Sequence, residues 1–454
     1  MTDELRQAVH RVLPSVRNDL DALIRIPSVS ADHNAAAAVR QSAELTAALL
    51  RDAGAADVEI IDDIEGSQPA VIGHYPAPEG APTVMLYAHH DVQPPGDATQ
   101  WASPPFDPTE RNGRLYARGA ADDKAGIAVH LATLRAFGGA PPVGVTVFVE
   151  GEEEIGSPKL GDLLAKHRDK LASDVIVLAD ASNIELGTPS IRTSLRGIAA
   201  CIVEVRSLEH GVHSGAYGGV APDALTALCR LLASLHDDNG DVAVKGLVTA
   251  PSPTFDYPES RFRKEAAMLD GVALLGSGSI AERIWTKPSA SVLALDATPV
   301  ADASNTLIPS ARATVSMRLA PGDDAVRARR KLAEHLREHA PWGVHVTVTD
   351  SEAGDSYAMD PNGPAFDAAR IAYRQAYGND LVEIGSGGTI PFIARFADAF
   401  PAAAFLIVSA GADPACRAHS TDESLHLAEF ERACVAETLL LTELARRPDA
   451  GRSA

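Results

Sequence analysis

Four short apolar runs constrain this chain more than any other feature. They are Thr83-Val84-Met85-Leu86-Tyr87, Val145-Thr146-Val147-Phe148-Val149, Val175-Ile176-Val177-Leu178-Ala179 and Phe405-Leu406-Ile407-Val408. Each is compact and apolar, as a strand buried on both faces has to be. Helical segments separate them (Ile127 to Phe137, Lys159 to His167), so the first part reads as α/β with a largely parallel sheet. Polar residues follow three of these strands directly: His89 and Asp91, then Glu152 to Glu154, then Asp180. In open α/β sheets ligands bind beyond the carboxyl ends of the strands, so these segments are positioned to meet.

A chain of 454 residues is too long for one ordinary core and points to two domains. After Gly197 the pattern changes. Ile198 to Arg206, Ala313 to Leu319 and Gly343 to Thr349 alternate apolar and polar, the mark of antiparallel strands with one wet face. Helices lie between them, Asp223 to Leu235 and Asp324 to His339. The expected architecture is an α/β catalytic domain with a mostly parallel sheet (residues 1–196 and 356–454). Into it is inserted an α+β lid and dimerisation domain with an antiparallel sheet (197–355). Residues 240–300 are Pro/Gly-rich and read as irregular. Near the N-terminus, Leu5, Val9, Leu13, Val16, Leu20 and Leu23 recur at helical spacing. Pro14 is expected to end one helix and start another.

The formal net charge of −21 argues against a nucleic-acid partner, because a phosphate-binding surface needs clustered Lys and Arg. No run of about 18 apolar residues occurs, so no membrane span is expected. Met1-Thr2-Asp3-Glu4-Leu5 lacks the basic and apolar regions of a signal peptide, and a cytoplasmic location is expected. Cys201, Cys229, Cys416 and Cys434 are far apart and form no Cys-x-x-Cys pair, so they read as buried reduced thiols.

Arg118-Gly119-Ala120-Ala121-Asp122-Asp123-Lys124-Ala125-Gly126 sets two carboxylates just before an apolar helical run. Capping is the commoner use of such a pair. A two-metal amidase, however, needs His and carboxylate ligands with one anionic group shared, and a non-ligating carboxylate to take a proton from water. His89, Asp122, Glu153, Glu154, Asp180 and His419 are candidates for those roles. Asp91, two residues past His89, is placed to accept a hydrogen bond from it and fix its tautomer. Within the acidic triplet adjacent carboxylates point different ways, so one can ligate while its neighbour acts as base.

These strings resemble the zinc exopeptidases that include carnosinase-type dipeptidases, aminoacylase, acetylornithine deacetylase and succinyl-diaminopimelate desuccinylase. The resemblance is carried by Leu86 to Pro94, Gly113 to Lys124, Glu150 to Ser157, Val212 to Gly219 and Ala418 to Glu423, in family order. It implies two divalent metal ions, most simply Zn2+ with Mn2+ or Co2+ as alternatives. His89, Asp122 and Asp180 would hold one, and Asp122, Glu154 and His419 the other. It further implies Glu153 as the base acting on a metal-bridging water, and Asp91 as the clamp on His89. His213 would reach the partner subunit's site in a homodimer and help hold the oxyanion. Arg318 would grip the substrate carboxylate, with Gly388 and Thr389 also at the substrate. A cis peptide between Asp122 and Asp123 is implied too.

Asp123-Lys124, the Ser214-Gly215-Ala216-Tyr217-Gly218-Gly219 string and the long inserted domain resemble the dipeptidase branch, where the deacylases tend to have Met in place of Asp123. The expected substrate is therefore a dipeptide or short peptide with a free C-terminal carboxylate, and the alternative is an N-acyl amino acid. One departure bears on this choice. Where carnosinase-like enzymes tend to carry Arg-Glu before Gly-Gly-Ser-Ile-Pro, this chain has Gly385-Ser386 before Gly387-Gly388-Thr389-Ile390-Pro391.

Overall fold

The computed structural model describes residues 2–388 and 391–447. The chain divides into two compact units. The first comprises Met1–Thr193, Met359–Ile384 and Pro391–Ala454, and the second Ser194–Ala358 and Gly385–Ile390.

The four apolar runs form neighbouring strands of the first unit's sheet. Thr83–His89 pairs in parallel with Gly144–Glu150 on one side and with Val175–Ser182 on the other. Ala404–Ala412 pairs in parallel with Val175–Ser182. Antiparallel strands flank this parallel centre: Asp57–Ile61 and Ala70–Tyr75 on one side, the strand beginning at Ser190 on the other.

Why the runs are apolar throughout follows from what covers them. Alternate residues Val84, Leu86, Ala88, Val145, Val147 and Val149 join a core with Leu20, Leu23, Ile127, Leu131 and Leu440 from the helices. The opposite alternation puts Tyr87 and Phe148 against the helix Pro391–Ala399. There the Tyr87 and Phe392 rings stack at 5.1 Å, and Phe148 meets Phe396 at 6.1 Å. With both faces dry, every strand position is selected for apolar character, and polarity begins only where the strands end.

The N-terminal helix differs from expectation. It runs unbroken from Thr2 to Ile24 with Pro14 inside it. Pro14 cannot donate to the carbonyl of His10, but that is one missing bond. Val9 before it and Val16, Leu20, Leu23 and Ile24 after it are fully buried on one stripe, and this packing carries the helix across the proline.

In the second unit the strands Ser289–Asp296, Ser310–Leu319, Gly197–Arg206 and His345–Gly354 form an antiparallel sheet in that order. Alternation is plain on the central strand, where Cys201, Val203 and Val205 are buried and Ile202 is exposed. Helices Ala224–Ala233 and Ala325–Glu338 cover the buried face with Leu228, Leu231, Leu332 and Leu336. Residues 240–300 are more ordered than expected: they hold the helix Glu259–Glu265, a π-helical turn Glu282–Thr286 and the edge strand Ser289–Asp296.

All four cysteines are free, and Cys201, Cys416 and Cys434 are buried. Cys229 is exposed, because Ala224, Ala227, Leu228 and Leu231 set the inward stripe of its helix and position 229 falls outside it. Among the described residues no helix is long and apolar enough to cross a membrane.

Replacing Pro14 with Ala restores one backbone bond and relieves the ring's clash with the preceding turn. We expect a gain of about 1–2 kcal/mol, part of the roughly 3 kcal/mol cost of an interior proline being offset by the freer unfolded chain. A higher urea midpoint at unchanged slope is the readout, and a lower midpoint would mean that the proline is accommodated without loss.

Candidate metal centre

Five segments of the first unit bring their side chains together. His89 is the last residue of its strand and lies in register with Glu150, the last of the neighbouring one. Its Nδ1 faces Asp91, 3.1 Å from the backbone oxygen and 3.3 Å from Oδ1. Its Nε2 is thereby turned toward Asp122, whose Oδ1 is 3.1 Å away. Both His89 and Asp91 are fully buried.

Asp91 has a second task. Its carboxylate accepts the backbone N–H of Glu153 at 3.2 Å and of Glu154 at 3.1 Å, which fixes the turn carrying the acidic triplet. Gly151 allows this turn to sit so close. A Cβ there would lie 2.3 Å from the Pro69 oxygen and 2.8 Å from the His90 ring, so no larger residue fits without moving the strand end.

Asp122 is the shared member. Its Oδ2 is 3.0 Å from Nε2 of His419, and that nitrogen is 3.1 Å from Oε2 of Glu154. Glu153 and Asp180 stand further back, 3.9 Å and 4.0 Å from Nε2 of His89. Two donors on a tetrahedral ion at about 2.0–2.1 Å lie about 3.3–3.4 Å apart, so the His89–Asp122, Asp122–His419 and His419–Glu154 spacings fit an ion on each side of Asp122. The donor atoms of His89, Asp122 and Glu154 all lie within 4.8 Å of one another.

The electrostatics also fit cations. Burial pushes the Glu153 carboxyl up to about 9; the charge of His89 opposes this and those of Asp180, Glu154 and Asp122 add to it. Burial likewise pushes Asp180 up to about 7. Asp122 goes the other way, because His419 and His89 together outweigh its burial and hold it well below the usual carboxylate range. His419, bonded to Asp122 and Glu154, is raised to about 10. Burial and the neighbouring carboxylates thus favour the protonated forms of Glu153 and Asp180, a state that divalent cations relieve by displacing those protons.

Asp123 is also near His89 and Asp180. Its oxygens, however, accept the backbone N–H groups of His89 at 3.3 Å and Gly126 at 3.2 Å, so it caps the helix Lys124–Ala136. The Asp122–Asp123 peptide is cis. Lys124 points inward and donates to the carbonyls of Leu23 and Ile26 at 2.7 and 2.8 Å, its pKa brought down to about 7 by burial.

Sequence reasoning gave no role to Arg118 and Glu423, which hold the centre from behind. Oε1 of Glu423 accepts the backbone N–H groups of Ala121 at 2.9 Å and Asp122 at 3.2 Å. Its Oε2 pairs with Nη1 of Arg118, and Nη2 of Arg118 donates to the backbone oxygens of Ser420 and Pro94 at 3.1 and 3.3 Å. One buried ion pair thus ties the loops of Asp122, His419 and Asp91 together. The His419 loop needs such a tie: Arg417, His419 and Asp422 all adopt left-handed backbone conformations, at about 1–2 kcal/mol each. No spacing in the sequence joins Arg118 to Glu423; their presence in two of the motif strings was the available signal.

His213, Arg318 and Gly388 belong to the second unit. His213 is exposed on the short strand Val212–His213, and its Nδ1 accepts the N–H of Gly215 at 3.1 Å. Arg318 lies on Ser310–Leu319 between Ile198 and Ser289 of the adjacent strands. Gly388 donates its N–H to the Ser386 hydroxyl at 3.3 Å. Thr389 lies outside the described residues.

The sequence model of peptidase family M20/M25/M40 matches residues 85–443. The chain is 38% identical over 368 residues to the cysteinylglycine-S-conjugate dipeptidase of Corynebacterium striatum, across 80% of this chain and 81% of that protein. Among solved structures it is similar to the di-peptidase Dug1p from Saccharomyces cerevisiae, with a TM-score of 0.77 at 22% identity over 99% of both chains. Human carnosine dipeptidase 1 has the same TM-score and identity, over 98% of this chain and 99% of its own. These two likenesses show the fold.

If Asp122 is shared between two ions, its loss must disturb both, whereas loss of Asp180 disturbs one. Metal analysis of protein dialysed against Zn2+ should give two ions per chain, about one for Asp180→Ala and less than one for Asp122→Ala. Equal losses in the two variants would contradict the shared role.

Proposed function

The chain belongs to peptidase family M20/M25/M40, and from that premise we propose that it is a metal-dependent dipeptidase. In this reading it cleaves the amide bond of dipeptides or short peptides that carry a free C-terminal carboxylate. The observation that carries the reading is the Asp122 carboxylate set between His89 and His419, with Glu153 and Glu154 held beside it by one partner, Asp91. Likeness to a dipeptidase over four-fifths of the chain favours peptide over N-acyl substrates.

His89, Asp122 and Asp180 would hold one divalent ion, and Asp122, Glu154 and His419 the other. Bound there, such ions make water more acidic and polarise a carbonyl oxygen. Glu153 takes the proton of the attacking water and delivers it to the leaving amine. Asp91 keeps Nδ1 of His89 engaged, so that Nε2 is the donor atom offered to the ion. Arg318 is proposed to receive the substrate carboxylate through its planar fork, and Gly388 and Thr389 are proposed as further substrate-binding residues. His213 is proposed to act in the partner subunit's site of a homodimer, where its ring donates to the developing oxyanion.

A panel of dipeptides against acetyl- and succinyl-amino acids tests the reading: metal-loaded protein should release amino acids from the dipeptides, and hydrolysis confined to the acylated set would replace it with a deacylase. Glu153→Gln should keep both ions and lose about 10²–10⁴ in kcat, the span of a positioned general base; loss of metal in that variant would make Glu153 a ligand instead. Mixing His213→Ala with Asp122→Ala subunits should restore part of the activity, since each hybrid dimer contains one site with both residues intact. No recovery after verified subunit exchange would contradict action in trans.

A further inference from the structure

Arg192 is a guanidinium of the first unit that none of the roles above uses. It lies half-buried on the strand that begins at Ser190. Its Nη2 donates to the Ser182 hydroxyl at 3.0 Å and, at 3.5 Å, to the Ser182 backbone oxygen. Ser182 ends the strand that carries Asp180, two residues upstream. Arg192 is therefore anchored to the end of the strand that carries Asp180.

Its neighbours do not neutralise it by contact. The buried Arg118 is paired with Glu423, and Arg114 and Arg135 with Asp413 and Asp19. Among the described residues, Nε and Nη1 of Arg192 donate to no protein group. Burial lowers its pKa, and Asp180 only partly opposes this. Desolvating a guanidinium without matching it to an anion is costly, so the position makes most sense when an acceptor arrives from outside. A guanidinium fork binds a planar carboxylate through two parallel hydrogen bonds, and such charge-assisted pairs are the strong ones.

We propose that Arg192 is a specificity residue that receives a carboxylate carried by the acyl side of the substrate, so that the enzyme favours dipeptides beginning with an aspartyl or glutamyl residue. This rests on the dipeptidase reading above, in which the C-terminal carboxylate is already assigned to Arg318. With that carboxylate engaged, the acceptor proposed for Arg192 is a side-chain carboxylate of the acyl residue. An amide side chain offers one neutral acceptor and makes the weaker match.

The test compares Glu-Ala, Gln-Ala, Ala-Ala and Ala-Glu as substrates of the metal-loaded enzyme. We expect kcat/KM for Glu-Ala to exceed that for Gln-Ala by about 10- to 100-fold, the span of one charge-assisted contact of about 1.5–3 kcal/mol. In Arg192→Ala that ratio should fall toward one, mainly through KM, as loss of uniform binding requires. Arg192→Lys should recover part of it as a point charge. Calorimetric binding of Glu-Ala to Glu153→Gln protein, with and without Arg192→Ala, reads the same contact without turnover, and about a tenfold loss is expected. Absence of a Glu-Ala preference, a preference for Ala-Glu, or an equal fall for all four substrates in Arg192→Ala would overturn the proposal. Arg192-dependent binding of Glu-Ala without cleavage of any dipeptide would instead reject the dipeptidase reading and leave the contact standing.

Discussion

Everything at this centre depends on one carboxylate being held in place by contacts on both sides. Asp122 has a histidine against each oxygen, His89 and His419. Its backbone N–H is fixed by Glu423, which is fixed in turn by Arg118. Those partners come from three separate stretches of chain, around His89, around Arg118 and in the loop from His419 to Glu423. A side chain so constrained gives up little further freedom on binding an ion, and preorganisation of this kind is how a site gains affinity without added contacts.

The strain and the stabilisation are spatially matched. The loop that brings His419 to Asp122 has three non-glycine residues in left-handed conformations, and the Arg118 guanidinium reaches the Ser420 carbonyl of that same loop. Removing one partner of a buried ion pair leaves the other charge uncompensated, at about 3–5 kcal/mol. Loss of either partner would also free the Ser420 carbonyl of the His419 loop or the backbone N–H groups of Ala121 and Asp122.

The strands were legible because of their burial. Residues covered on both faces are apolar without interruption, so their ends stand out as the first polar positions, and His89, Glu153, Glu154 and Asp180 follow from those ends. The alternating strands of the second unit were legible for the converse reason, one dry and one wet face. Ser289–Asp296 was not, because it is exposed along nearly all its length and no periodicity survives. Pro14 misled because local propensity was read without the tertiary stripe that overrides it. The Arg118–Glu423 clasp and the anchoring of Arg192 join residues through the fold alone, and pattern reading along the chain has no access to such pairs.

The most direct test is a crystal structure of the Zn2+-loaded protein with anomalous maps at the zinc edge. If Asp122 is the shared ligand, two peaks about 3.5–4 Å apart are expected, with one oxygen of Asp122 on each ion, His89 on one, His419 on the other, and Glu153 on neither. A single peak, or two ions that do not both touch Asp122, would contradict it.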